Sequence, residues 1–205
     1  SVIKAFGELR ALYIENSTII AEDNIYSDTI LHSKVNCRGN ITVNSKKGLI
    51  IGGVISGRKG LNAKVIGSHI GSKTRINLGI DDELMGNLKN INIQQKKIEE
   101  EIKKINKSID IISKRRGSPI AQKIQIEKQL KLKQNRIDAL KELETSNRSI
   151  CELADTLKNA KLVCEVIYPG TNLRINNSHF NLKRKLEHVS FSKDDGEVKV
   201  YSLAR

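Results

Sequence analysis

The sequence predicts a mainly β fold with an α insertion. It reads as a short parallel (right-handed) β-helix, or β-solenoid, with an inserted antiparallel coiled-coil helical hairpin and a small C-terminal β cap. Three observations predict it. From Ile3 to Leu78 the chain repeats apolar and small residues at near-constant offsets. From Leu84 to about Lys158 the period changes to heptads. Beyond that the first spacing returns, followed by an Asp-Gly pair between alternating strands.

The repeat comes first. Its copies read Ile3, Ala5, Leu9, Ala11, Ile14; then Ile19, Ala21, Ile25, Ser27, Ile30; then Val35, Cys37, Ile41, Val43; then Ile55, Gly57, Leu61, Ala63, Ile66; and a shorter Ile70, Ser72, Ile76, Leu78. Ile3, Ile19 and Val35 follow one another at equal steps, and Ser45-Lys46-Lys47-Gly48 accounts for the longer step to Ile55. Fixed-period self-similarity marks a solenoid. Pairs two apart share one face of a short strand. The gaps between pairs, Glu22-Asp23-Asn24, Arg38-Gly39-Asn40 and Arg58-Lys59-Gly60, suit tight bends because Asn, Asp and Gly tolerate left-handed backbone or bond their own backbone. Stacked coils then place Ile3 on Ile19 on Val35, Leu9 on Ile25 on Ile41, and a narrow Ala5, Ala21, Cys37 column where the chain turns.

The hairpin follows. Leu84, Leu88, Ile91, Ile98, Ile102, Ile105, Ile109 and Ile112 keep a 4-3 alternation, with Gln95 in the one polar slot. Asp81-Asp82-Glu83 supplies the negative charge that favours a helix start. Lys114-Arg115-Arg116 and Gly117 mark its end, after which Ser118 is a natural N-cap and Pro119 fits the first helical position. The first helix is roughly 45 Å long at the α-helical rise. The second runs to about Lys158 and is expected to bury Ile126, Leu130, Ile137, Leu140, Leu143, Ile150, Ala154 and Leu157. So short a turn makes the two antiparallel.

Strand-like sequence resumes at Leu162–Tyr168, and Ile167, Leu173 and Ile175 repeat the solenoid spacing, so the hairpin reads as an insertion between coils. Val189-Ser190-Phe191, Asp195-Gly196 and Val198-Lys199-Val200 form a β-hairpin that covers an open solenoid edge. The expected organisation is coils over 1–83, hairpin over 84–158, a final coil over 159–178 and the cap over 179–205.

The order and content of four stretches carry a resemblance. Tyr13-Ile14-Glu15-Asn16-Ser17-Thr18, Leu31-His32-Ser33, Lys47-Gly48-Leu49-Ile50-Ile51-Gly52-Gly53 and Ala63-Lys64-Val65-Ile66-Gly67-Ser68 resemble the bacterial flagellar assembly protein A family. Val166-Ile167-Tyr168-Pro169-Gly170 and Phe191 with Asp194-Asp195-Gly196-Glu197 follow in that family's order. The resemblance implies a β-helix with an inserted coiled coil, a cytoplasmic bacterial protein, a role in flagellation for some members, and no catalytic residues. It also implies a further N-terminal region, which this sequence does not contain. The Ala21-Glu22-Asp23-Asn24 bend departs from the family's usual glycine, and the Lys-rich hairpin is a second departure.

Other chemistry is thin. The chain carries 36 Lys+Arg against 23 Asp+Glu, and the excess is largest over residues 84–160, at +7. Aromatics are 3% and Trp is absent, so platforms for stacking single-stranded bases are scarce. Cys37, Cys151 and Cys164 form no CxxC, which suits a reduced cytoplasmic setting. Gly52 to Lys59 misses the Lys-Ser/Thr ending of a phosphate loop, and His32, His69, His179 and His188 share no ligand spacing. No catalytic, cofactor-binding or metal residue is expected, and no cofactor.

Three function classes are ranked. A non-enzymatic scaffold that binds protein partners through the helical hairpin leads, with self-association through the β-helix or coiled coil as a further mode. Nucleic-acid or anionic-surface binding through the basic hairpin is second, with Lys114, Arg115 and Arg116 as the interaction tip. A hexapeptide-type acyltransferase, prompted by Ile66-Gly67-Ser68-His69-Ile70-Gly71, comes last because such enzymes keep a strict six-residue period. No run of apolar residues is long enough for membrane insertion.

Overall fold

The computed structural model describes residues 1–80, 82–115 and 118–203. It divides into two compact units, Ser1–Asp81 with Ala154–Arg205, and Asp82–Leu153. The first is the solenoid. Its strands are β1 (Val2–Ala5), β2 (Leu9–Glu15), β3 (Thr18–Ala21), β4 (Ile25–Cys37), β5 (Asn40–Val43), β6 (Leu49–Gly57), β7 (Gly60–Ile66), β8 (Thr74–Leu78), β9 (Lys161–Ile167) and β10 (Thr171–Ile175). Three short strands close it: β11 (Ser178–Asn181), β12 (Leu186–Asp194) and β13 (Glu197–Ser202).

Parallel pairing stacks equivalent residues into columns. The first runs Ile3, Ile19, Val35, Ile55, Ile76, Leu173. Two residues on, a narrow column runs Ala5, Ala21, Cys37, Gly57 and then widens to Leu78 and Ile175. A second face stacks Leu9, Ile25, Ile41, Leu61 and Leu162. The third stacks Ile14, Ile30, Ile50, Ile66 and Ile167. From the second coil onward every one of these apolar side chains is buried. Each Val, Leu or Ile among them contributes roughly 1.5–3 kcal/mol of burial. Ile3, in the first coil, has a neighbour on one side and is 47% exposed.

The structure shifts the phase of the fifth copy. Ile76 and Leu78 pair with Ile55 and Gly57, so they open that coil. Ile70, read from sequence as a column residue, is 83% exposed instead. The reason is the loop after Ile66: Gly67 and Gly71 both take left-handed backbone (φ 80 and 79), which lets the chain swing out before β8.

The bends also divide their labour differently from the sequence expectation. Asn24, Asn40 and their neighbours close their corner without positive φ, by a ladder in which Asn24 Oδ1 accepts from the Asn40 backbone N–H at 2.9 Å. Left-handed backbone sits at another corner, where Asn16, His32 and Gly52 stack with φ of 46, 44 and 67. At Gly52 an added Cβ would meet the His32 ring, so space as well as φ favours glycine there. The extra residues before Leu49 are held by buried Asp28, whose Oδ1 accepts from the backbone N–H of Lys47 at 2.9 Å.

The insertion point is also different. β8 and β9 belong to one coil: Leu78 ends its first face and Leu162 lies on Leu61 in its second. Other coils join those faces through Phe6-Gly7-Glu8, Glu22-Asp23-Asn24, Arg38-Gly39-Asn40 or Arg58-Lys59-Gly60. Here the helices stand in place of that bend, so they interrupt a coil and do not lie between coils.

At the last coil, β11 pairs antiparallel with β10 and β12 antiparallel with β9. β13 returns along β12 through Asp195 and Gly196, both at positive φ, as a two-residue hairpin turn requires. Phe191 is fully buried under this cover and meets Phe180 edge-on at 5.5 Å between ring centroids.

Candidate protein-interaction site on the helical hairpin

The second unit is built from α1 (Asp82–Lys114) and from α2 (Pro119–Leu157) as far as Leu153. On α1 the 4-3 positions from Leu88 to Ile112 are the less exposed ones, and Ile105 is buried. α2 answers with a mixed seam. Ile126, Ile137, Leu140, Leu143 and Ile150 are half-buried, but Gln122, Gln129, Lys133 and Asn147 occupy positions of the same kind. Leu130, expected in the seam, is 48% exposed because Gln129 takes the inward position one residue earlier.

Polar contacts fix the register of the pair. The Asn147 side-chain amide donates to Gln95 Oε1 at 3.2 Å and to Asn92 Oδ1 at 3.3 Å. Gln95, the polar slot in α1, therefore has a partner across the seam. Arg136 pairs with Glu101 at 3.0 Å further along. Such a polar interruption specifies alignment at some loss of stability.

The structure places Lys114 in the last turn of α1 and Arg115 just beyond it, both exposed. Arg116, like Gly117, lies outside the described residues. The positive charge extends well past these three positions. Residues 103–136 hold eleven Lys and Arg against two acidic residues, a net +9, while the rest of the 84–160 stretch is net negative. Among the described residues, no carboxylate pairs with Lys114, Arg115, Lys123, Lys128, Lys131 or Lys133. Apolar side chains interleave with them: Ile111, Ile120 and Ile124 are 56, 74 and 62% exposed. Ser108, Ile111 and Ile112 of α1, with Arg115 just past its end, face Gln125, Lys128 and Gln129 of α2 across a groove of about 490 Å³. The run Lys114-Arg115-Arg116 picks out the end of α1 in the sequence. Lys128 and its neighbours emerge only when α2 is laid antiparallel against it.

Elsewhere the candidate chemistry resolves into structure. Gly52–Gly57 lies within strand β6, so no phosphate-cradling loop forms there. His32 and His188 hold left-handed positions. Among the described residues no group of three or more His, Cys, Asp or Glu is placed to share a metal ion. Cys37 and Cys164 are column residues, and burial pushes their thiols up to about 11 and about 12, away from the reactive thiolate. Of the Ile66–Gly71 run, which suggested hexapeptide repeats, Ile66 ends β7 as a buried column residue and the remainder enters the outward loop. Among the described residues no helix is long and apolar enough to cross a membrane.

The sequence model of the flagellar assembly protein A β-solenoid domain matches residues 1–198, running through both helices and into the closing strands. The chain belongs to the flagellar assembly protein A family. Membership supports a flagellar-linked role, and the family's solenoid description agrees with the columns above. No curated protein and no solved structure matches the chain.

Proposed function

We propose that the chain is a non-catalytic docking module in flagellar assembly, with the solenoid as a rigid base and the helical hairpin as the part that engages a protein partner in the cytoplasm. The observation that carries this reading is the place of insertion. Four other coils make the same bend with three residues, and the closed columns continue on both sides of the helices. The fold has no need of so long a detour, so its use lies in what the detour presents. A long, charged, apolar-dotted pair of helices presents area for contact, whereas catalysis would call for a concave site with convergent, tuned groups.

The charge of residues 103–136 also favours a second reading, binding to nucleic acid or another anionic surface. It ranks below because a phosphate backbone rewards cations alone, while Ile111, Ile120 and Ile124 stand exposed among these cations.

Photo-crosslinking in the host tests the choice. A photoreactive side chain is placed at Ile124 or Lys128 on the hairpin, and separately at outward-facing Thr42 or Ser56 on the solenoid. Capture of one and the same protein from both hairpin positions and from neither solenoid position is expected. Capture of nucleic acid from the hairpin, or of protein from the solenoid positions alone, contradicts the reading.

A further inference from the structure

We propose that the distal groove of the hairpin takes an acidic amphipathic helix of the partner protein, seated as a third helix between α1 and α2. This rests on the hairpin being the docking arm, and it names the chemistry that arm recognises. The lining is spaced as helix-in-groove contacts are. Ser108, Ile111 and Ile112 lie at i, i+3 and i+4 along α1, and Arg115 follows just past its last turn. Gln125, Lys128 and Gln129 give the same spacing on α2, and Leu132, 42% exposed, continues that row. Ile111 and Ile112 offer an apolar floor, Arg115 and Lys128 stand as cations beside it, and the two glutamine amides can donate or accept.

A helix fits this lining if it carries apolar residues at i, i+3, i+4 and i+7 with carboxylates on either flank. Ridge-into-groove packing brings its axis to the usual 8–10 Å from its neighbours. The carboxylates meet Arg115 and Lys128, neither of which has an acidic partner among the described residues.

Other occupants fit less well. A second copy of the same groove would bring one +9 segment against another. Nucleic acid finds no stacking side chain, since residues 82–157 contain no aromatic. An anionic membrane asks for one wide apolar face. The outer row of α2 instead reads Ile120, Ile124, Glu127, Lys131 and is broken by charge.

The test uses the purified chain and a fluorescent peptide of about six helical turns, with leucine at heptad a and d positions and glutamate elsewhere. Comparison probes are oligoglutamate of equal length, a random DNA duplex and phosphatidylserine vesicles, all at about 0.15 M salt. The leucine–glutamate peptide should gain helicity on binding and bind at least about tenfold more tightly than oligoglutamate or duplex. Ile111→Ser should weaken it by about tenfold without moving the thermal midpoint. Arg115→Glu with Lys128→Glu should abolish it and transfer binding to the leucine–lysine counterpart.

Equal or tighter binding of oligoglutamate, duplex or vesicles overturns the proposal, as does absent peptide binding or indifference to these variants. If protein crosslinks from Ile124 and Lys128 persist in that event, the docking arm stands and the groove chemistry is wrong. If they vanish too, both fail.

Discussion

Asn176 holds the backbone at the bend from which the helices depart. Its Oδ1 accepts a hydrogen bond from the Ile80 N–H at 2.8 Å, although the two residues are 96 apart in sequence. Asn176 is itself buried, at left-handed φ of 53, and its own N–H donates to the Leu78 carbonyl at 2.8 Å. Gly79 takes φ +84 beside it, and a Cβ there would overlap the Asn176 side chain. As at the ordinary bends, where Asn24 Oδ1 accepts from the Asn40 N–H of the next coil, the hydrogen bond comes from a stacked coil, here across 96 residues.

Asn176→Ala should therefore lower stability by about 1–3 kcal/mol, since it strands the Ile80 donor. Gly79→Ala should be worse, combining strain at positive φ with that overlap. Urea unfolding of both variants checks the order; equal, small effects would show that the bend does not depend on this contact.

Ile25 is fully buried between Leu9 and Ile41. Ile25→Asp puts an unpaired charge into the column and should destabilise by at least about 3 kcal/mol. An unchanged thermal midpoint in the purified variant would contradict the stacking.

The thiols should respond to their positions. Cys151 is exposed on α2, whereas Cys37 and Cys164 are buried with raised pKa values. A thiol reagent near pH 8 should label one cysteine in the native protein and three after denaturation. Because the folded state keeps these two thiols protonated where the unfolded chain loses the proton, their contribution is fully present below pH 9. It is lost as pH rises from 9 through about 11 and 12. Native labelling at Cys37 or Cys164, or stability that rises across that window, would contradict the assignment.

Within the hairpin, the Asn147 amide bridges Asn92 and Gln95. Asn147→Leu alone should destabilise the helices by leaving Gln95 without its partner, and the added Gln95→Leu should more than restore them. Register specificity should fall in the double variant. Additive single effects in a double-mutant cycle, read from helical melting, would show that the bridge carries no coupling.

Much of this was legible because solenoid columns repeat in sequence. Ile3, Ile19 and Val35, or Leu9, Ile25 and Ile41, announce themselves by spacing alone. The errors arise where spacing is locally ambiguous. Ile70 sits at a plausible offset, yet paired left-handed glycines carry it outward, which an apolar pattern cannot express. Leu130 and Gln129 are one residue apart in a seam whose phase drifts, so hydrophobicity favoured the wrong one. The bend that the helices replace could be located only after Leu78 and Leu162 were seen on adjacent faces of one coil. Of the basic tip, Lys114 and Arg115 were legible as charge. Their companion Lys128 was not, because it joins them only across the antiparallel pair.

Removing the hairpin separates its two roles most directly. Asp82–Leu153, the second compact unit, is replaced by a short Gly/Ser linker, which closes a loop at little entropic cost and keeps buried Leu157 and Ala160. The shortened protein should retain a β-type circular dichroism spectrum and a cooperative melt. A host strain carrying it in place of the intact chain should make fewer flagella per cell than wild type. Normal flagellar numbers with a folded, hairpin-free protein would contradict the claim that the helices are the docking arm.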